Sequence, residues 1–238
     1  MKKIILTAVF FTLLAGNSFC GEAGKERAAP EINESSGAVS GPAPEVLKVV
    51  EKLKEWDAKL ESLKSDFSQE VDFTNAGIKQ KVEGTLSYKK KDRLRIEHLK
   101  PSRQLIITDK RDIFIYKVED ELVYKTSWDY WKKTQDQNLS GILDMGNYSE
   151  LAEKNEIKVT ETPEGIKAEF TSKNNPGVYL LTLTLSATDY FPYEASLRVD
   201  KTLITTKLTK TEINGELDDK LFKFVKPKKA ELIEIKRK

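Results

Sequence analysis

The 238-residue chain contains one histidine and one cysteine, so the side chains most often used as base, nucleophile or metal ligand are nearly missing. His98 shares the parity of Leu94 and Ile96 within an alternating run, a position expected of a hydrogen-bonded structural histidine. Nucleophilic hydrolysis needs a nucleophile, a base and an orienting group within reach of one another, and no such set can be assigned. No cluster of His, Cys, Asp and Glu has metal-ligand spacing. No P-loop is present, and no glycine-rich turn follows a strand and opens a helix. Carboxylates are plentiful but interleaved with lysines, as on a solvated face; a glycosidase pair would have to be assembled by the fold. The expectation is a protein that is not an enzyme, with no cofactor and no metal.

Cys20 lies where an export signal would end. Lys2 and Lys3 precede an apolar stretch from Ile4 to Ala15, and a polar break follows at Gly16, Asn17 and Ser18. This is the layout of a secretory signal peptide over residues 1–20, too short for a membrane span. Two readings of Cys20 stay open: it precedes the cleavage point, or it becomes the lipidated first residue of an anchored form. Phe19 and Asn17 suit lipid attachment poorly, which favours the first. A single cysteine excludes a disulfide within the chain, so the fold relies on its core.

The formal charge is +2, and removing Lys2 and Lys3 leaves the rest neutral. A nucleic-acid partner is therefore not expected. Lysines gather at residues 89–91, 226–229 and 236–238, where solvated surface is the ordinary reading and contact with anionic headgroups or an acidic partner the alternative.

Residues 21–44 are rich in Gly, Ala, Ser, Pro and Glu and read as a flexible linker. Residues 45–238 have the length of one domain. Val46, Val49, Val50, Leu53, Trp56, Leu60 and Leu63 recur at three- and four-residue steps and predict an amphipathic helix of about five turns. Strand signals follow. From Ile78 to Lys89 side-chain character switches at every residue, with Ile78, Val82, Leu86 and Tyr88 on one parity and Lys79, Lys81, Glu83 and Thr85 on the other. Similar runs surround Phe67–Phe73, Leu94–His98, Leu105–Thr108, Ile113–Tyr116 and Leu122–Lys125, and resume from Ile157 to Thr211. Pro101 should lie between strands. Residues 139–151 read as one or two short helices in a long connection. The fold class is mainly β (α+β): an incomplete antiparallel β-barrel or curved sheet of about ten strands, its concave apolar face covered by helices.

Several motifs in order resemble the periplasmic lipoprotein carrier family, LolA. They are Phe67-Ser-Gln69 after the helix, Gly84-Thr-Leu86, Arg93-Leu-Arg-Ile-Glu97, Pro101 ahead of Ile106-Ile-Thr-Asp109 and Ile113-Phe-Ile-Tyr116, and a closing set of Asn214, Leu217-Asp-Asp219, Phe222-Lys-Phe224 and Pro227. The resemblance covers roughly Leu53 to Ile233. It implies an incomplete barrel lidded by helices that carries acylated lipoproteins or other lipids through the periplasm, a monomer that receives cargo from an inner-membrane release complex and hands it to an outer-membrane acceptor. The family's lid-holding Arg aligns with Lys90, which keeps the charge but not the planar fork of donors. Lys110 replaces the family's turn glycine, and Phe114 its Trp.

Acyl chains leave water at about 0.8 kcal/mol per CH₂ buried, so a site for them needs no catalytic residue. The expected lining residues are Val82, Leu86, Leu94, Ile96, Phe114 and Tyr116, with Leu181, Leu183 and Leu197 on later strands; ordinary core packing is the equal alternative for each. Other roles for such a fold are an envelope sensor or regulator, an outer-membrane-anchored acceptor, and an interaction module with a filled core.

Overall fold

The computed structural model describes residues 42–91, 93–109, 111–134 and 148–235. The expected signal peptide, Cys20, most of the expected linker, Lys110 and most of the 139–151 connection lie outside the described residues.

Helix α1 (Pro44–Lys59) starts with proline at its first turn, where the missing N–H costs nothing, and buries Val49, Leu53 and Trp56 at helical spacing. It is shorter than its apolar periodicity predicts. Leu60 is the C-cap, donating its N–H to the Trp56 carbonyl, and Leu63 already belongs to β1 (Ser62–Phe73). Both leucines are buried, so the spacing reported burial correctly across a helix end it could not see.

β1 is the first of six meandering strands, followed by β2 (Ile78–Lys89), β3 (Arg93–Lys100), β4 (Gln104–Asp109), β5 (Asp112–Lys117) and β6 (Leu122–Ser127). A second meander runs through β7 (Asn155–Thr162), β8 (Gly165–Ser172), β9 (Tyr179–Leu185), β10 (Pro192–Val199) and β11 (Thr202–Ile213). β1 pairs antiparallel with β11 and joins the two halves. A last short strand, β12 (Glu231–Glu234), adds parallel to β6. The result is one open, mostly antiparallel sheet of twelve strands with β12 and β7 at its edges. The expected curved, helix-covered sheet is thus borne out, with β12 unanticipated because its exposed four residues carry no periodic signal.

The open topology dictates the lid. β6 and β7 are consecutive strands near opposite ends of the sheet order, so the chain between them must travel from one side of the sheet to the other. That connection begins with α2 (Trp128–Thr134) and ends with α3 (Ser149–Lys154). Trp128, Trp131, Tyr148 and Leu151 are buried in the same apolar cluster as Val49, Leu53 and Trp56 of α1 and the concave faces of the strands.

The junction of α1 with β1 is held by Asn214, just past β11. Its Oδ1 accepts the N–H of Glu61 at 2.8 Å and of Ser62 at 3.2 Å, while its Nδ2 donates to the Lys59 carbonyl at 2.9 Å. Asn214 sits at φ 58°, a left-handed conformation that asparagine tolerates better than other side-chain-bearing residues. Asn214→Ala should therefore lower stability by about 2–4 kcal/mol, through three lost hydrogen bonds and added backbone strain. Equilibrium urea unfolding measures it, and a change below about 0.5 kcal/mol would show that the clamp is dispensable.

Candidate ligand cavity and its lid

Strand register decides which side chains face the helices. Along β2, Val82, Gly84, Leu86 and Tyr88 share the inner face. They stand opposite Gln69, Phe67, Ser65 and Leu63 of β1, and from Gly84 onward opposite His98, Ile96 and Leu94 of β3. Gly84 is required here. A Cβ on it would fall 2.2 Å from the Glu97 carbonyl oxygen and 2.7 Å from the Phe67 ring, so its absence lets that ring lie flat across β2.

A cavity of about 130 Å³ lies between this face and the lid. Its lining includes Phe67, Leu86, Leu94 and Ile96 on one half of the sheet and Leu183, Ala195 and Leu208 on the other, with Thr206 and Glu194 as its polar members; Tyr148 and Leu151 form its roof. Four expected lining residues, Leu86, Leu94, Ile96 and Leu183, therefore meet at the cavity. Val82 and Leu181 are buried in the surrounding apolar cluster, with Leu197 packed against it, but none of the three borders the void.

Phe114 and Tyr116 point the other way. The inner face of β5 is carried by Ile113 and Ile115. Phe114 stacks on Phe224 at 4.8 Å between ring centroids, and Tyr116 lies 6.4 Å from the same ring. β4 and β5 are apolar on both faces, because the segment after β11 folds back over the convex side and buries Phe222 there, so parity could not be read from them. Sequence reasoning also missed Phe67, Tyr148, Leu151, Ala195 and Leu208. Phe67 had the needed signal in its alternation with Gln69 and Val71. Leu208 lacked one, since its nearest neighbours of the same parity, Thr206 and Lys210, are polar.

Among the described residues, Lys90, Trp56 and Asp57 tie the lid down through polar contacts. Lys90 Nζ donates to the Ala58 carbonyl at 2.8 Å and to Glu61 Oε1 at 2.7 Å, placing a cation on the last turn of α1 where the helix dipole favours it. Trp56 Nε1 donates to the Asp189 carbonyl at 2.8 Å, and its ring meets Phe191 edge-on at 5.1 Å. Asp57 joins the two lid helices: its carboxylate accepts the backbone N–H of Tyr148 at 2.5 Å and of Ser149 at 2.7 Å, capping α3 from α1. Burial holds the Tyr148 phenol well above its ordinary pKa, with the Asp57 charge adding to it.

Opposite Gly84, His98 is buried against the edge of Phe67 at 5.8 Å. Burial lowers its pKa from 6.5 to about 4. No group of three or more His, Cys, Asp or Glu residues that could hold a metal occurs among the described residues. No described helix is long and apolar enough to cross a membrane.

The site is thus a largely apolar cavity between the concave face of an open β-sheet and the helices that cover it. The chain belongs to the outer membrane lipoprotein carrier protein LolA family, whose pattern matches residues 58–225. Among solved structures, its fold is similar to that of an uncharacterized conserved protein from Thermus thermophilus. The TM-score is 0.50 at 11% identity, over 80% of this chain and 99% of that one. A LolA superfamily protein from Nitrosomonas europaea matches at TM-score 0.44 and 11% identity, over 75% and 97% of the two chains. The Mycobacterium tuberculosis lipoprotein LppX matches at 0.43 and 8%, over 74% and 99%. No curated protein matches the sequence.

Two outcomes are expected of this site. Asp57→Ala leaves two helix N–H groups without their acceptor and should cost about 2–3 kcal/mol. Hydrogen exchange should accelerate in α1 and α3 before the sheet is affected, and unchanged protection of both helices would refute the latch. For His98 the folded pKa lies below the unfolded one. As pH falls through 6.5, the unfolded chain takes a proton that the buried ring refuses until about pH 4. Stability should therefore be lost between pH 6.5 and 4, by up to about 3 kcal/mol from this group. Replacing it in His98→Gln should flatten that part of the pH profile, and an unaltered profile would place the titration elsewhere.

Proposed function

We propose that this chain is a carrier of acyl chains in the bacterial envelope, binding the lipid of acylated lipoproteins in the cavity and moving it between membranes without chemistry. The observation that carries the reading is the void on the concave face, lined by Phe67, Leu86, Leu94, Ile96 and Leu183 and roofed by two side chains of the lid. At about 130 Å³ it is comparable to engineered apolar cavities that admit one benzene-sized molecule, on the order of 150 Å³. A chain of sixteen carbons needs far more room, so loading requires the lid to separate from the sheet.

Burying such a chain contributes on the order of 12 kcal/mol before ordering costs. Part of that is offset by the lid's own apolar contacts, which the ligand must replace. This competition makes binding reversible, as a shuttle requires. Lys90 serves as the lock at the end of α1 that the resemblance suggested, in the form of a lysine. Residues 45–238 form the binding domain, behind a signal peptide of residues 1–20 and a linker of residues 21–44, and the site of action is the periplasm. An inner-membrane release complex and an outer-membrane acceptor are the partners the family relationship suggests.

Leu86→Glu and Leu94→Glu test the reading. Each places a carboxylate at the void, where it can hydrate, so circular dichroism should stay native-like while binding of a fluorescent fatty acyl probe falls at least tenfold, about 1.4 kcal/mol. A folded variant that binds the probe like the parent would exclude this site, and global unfolding would favour a filled core.

A further inference from the structure

One file of the concave face is polar where its neighbours are apolar. His98 on β3, Gln104 on β4 and Lys117 on β5 stand directly opposite one another in the antiparallel ladder. Such neighbours have Cβ atoms about 4.5–5.5 Å apart. Two residues further along each strand the same face carries Ile96, Ile106 and Ile115, all in the apolar cluster. Ile96 and Phe67 border the cavity, and Phe67 also touches His98. The polar file therefore begins about 7 Å, one pleat repeat, from the cavity floor.

Its chemistry is biased toward donors. Gln104 Nε2 is buried and has no hydrogen-bond acceptor among the described residues, a group that native structures rarely leave unmet. The Lys117 side chain is 15% exposed, and its ammonium lies 3.7 Å from the solvated carboxylate of Asp120. His98 is neutral near pH 7, so Lys117 brings the file's one positive charge. An acceptor-rich anion complements this set; an aliphatic or cationic group does not.

We infer that the file seats an oxyanion carried at the end of an acyl chain, a fatty-acid carboxylate or a phospholipid phosphodiester, with the chain lying over Ile96 and Leu94 in the cavity. The inference rests on the acyl-binding reading and narrows it to ligands with an anionic head. Lys117 supplies charge and Gln104 a directed donor pair, while the apolar floor takes the hydrocarbon. A neutral alcohol of equal length keeps the hydrocarbon term and loses the charge-assisted hydrogen bonds.

Titration of the full chain with dodecanoate, dodecanol and 1-lauroyl-lysophosphatidylglycerol at pH 8, below their micelle concentrations, tests this. The readouts are calorimetry and the emission of Trp56, Trp128 and Trp131, all three buried on lid helices. At least one anionic ligand should bind about tenfold or more tightly than dodecanol, and which one does so tells carboxylate from phosphodiester. Lys117→Met should remove most of that preference while changing dodecanol affinity less than about threefold. Lys117→Arg should retain it, and Gln104→Leu should weaken it in the same direction with the charge intact. Equal affinity of the parent for all three ligands, or parallel loss of alcohol and anion in Lys117→Met and Gln104→Leu, would overturn the anionic subsite and leave acyl binding standing. Absence of binding by every ligand would overturn both.

Discussion

A twelve-stranded sheet that curls without closing leaves one broad concave face whose side chains cannot all be polar, because the same strands form the core. That face must be covered, and the rest of the molecule answers this need. The connection from β6 to β7 has to pass between opposite sides of the sheet, and it brings Trp128, Trp131, Tyr148 and Leu151 into the apolar cluster. α1 arrives ahead of the first strand and adds Val49, Leu53 and Trp56. Cover by helices differs from cover by a second sheet: a helix buries one stripe, makes its backbone hydrogen bonds internally, and can lift away without breaking a ladder.

The convex side is handled differently. After β11 the chain crosses the outside of β3 and β4 and is fastened there by charge. Lys89 and Arg93 both pair with Asp219, at 2.5 and 2.7 Å, and Lys89 Nζ also reaches the Leu217 carbonyl at 2.9 Å. Lys89 and Arg93 hold the Asp219 carboxyl below its ordinary pKa. Phe222 is buried beneath this strap, and Phe224 covers Phe114. The chain then adds β12 to the β6 edge, where a short, exposed strand with Glu231 and Glu234 covers the strand and discourages further pairing. Exposed ion pairs contribute little singly, but here two converge on Asp219 and fix a strap that also buries aromatic surface.

The two faces therefore have different mechanical characters. The strap joins the sheet through an added strand, buried aromatics and clustered charges. The lid is held by apolar packing plus a few directed contacts: Lys90 on Ala58, Trp56 on Asp189, and Asp57 on Tyr148 and Ser149.

The sequence by itself determined the class of element nearly everywhere and the inner face wherever only one face of a strand was apolar. The alternation in β2 and β3 placed Leu86, Leu94 and Ile96 on the inner face, because the polar or charged residues of the opposite parity, Thr85, Ser87, Arg93, Arg95 and Glu97, leave no second choice. The motifs Arg93–Glu97 and Leu217–Asp219 were visible as well, though nothing in their spacing told that they meet. Tertiary structure decided the rest. β4 and β5 are apolar on both faces, so only the strap over the convex side fixed Phe114 and Tyr116 outward and Ile113 and Ile115 inward. The end of α1 was likewise invisible in its periodicity, since Leu60 and Leu63 remain buried after the helix stops; Asn214, more than 150 residues away, clamps that turn. A side-chain period records that a residue is buried, while the partner that buries it is chosen by contacts far apart in the chain.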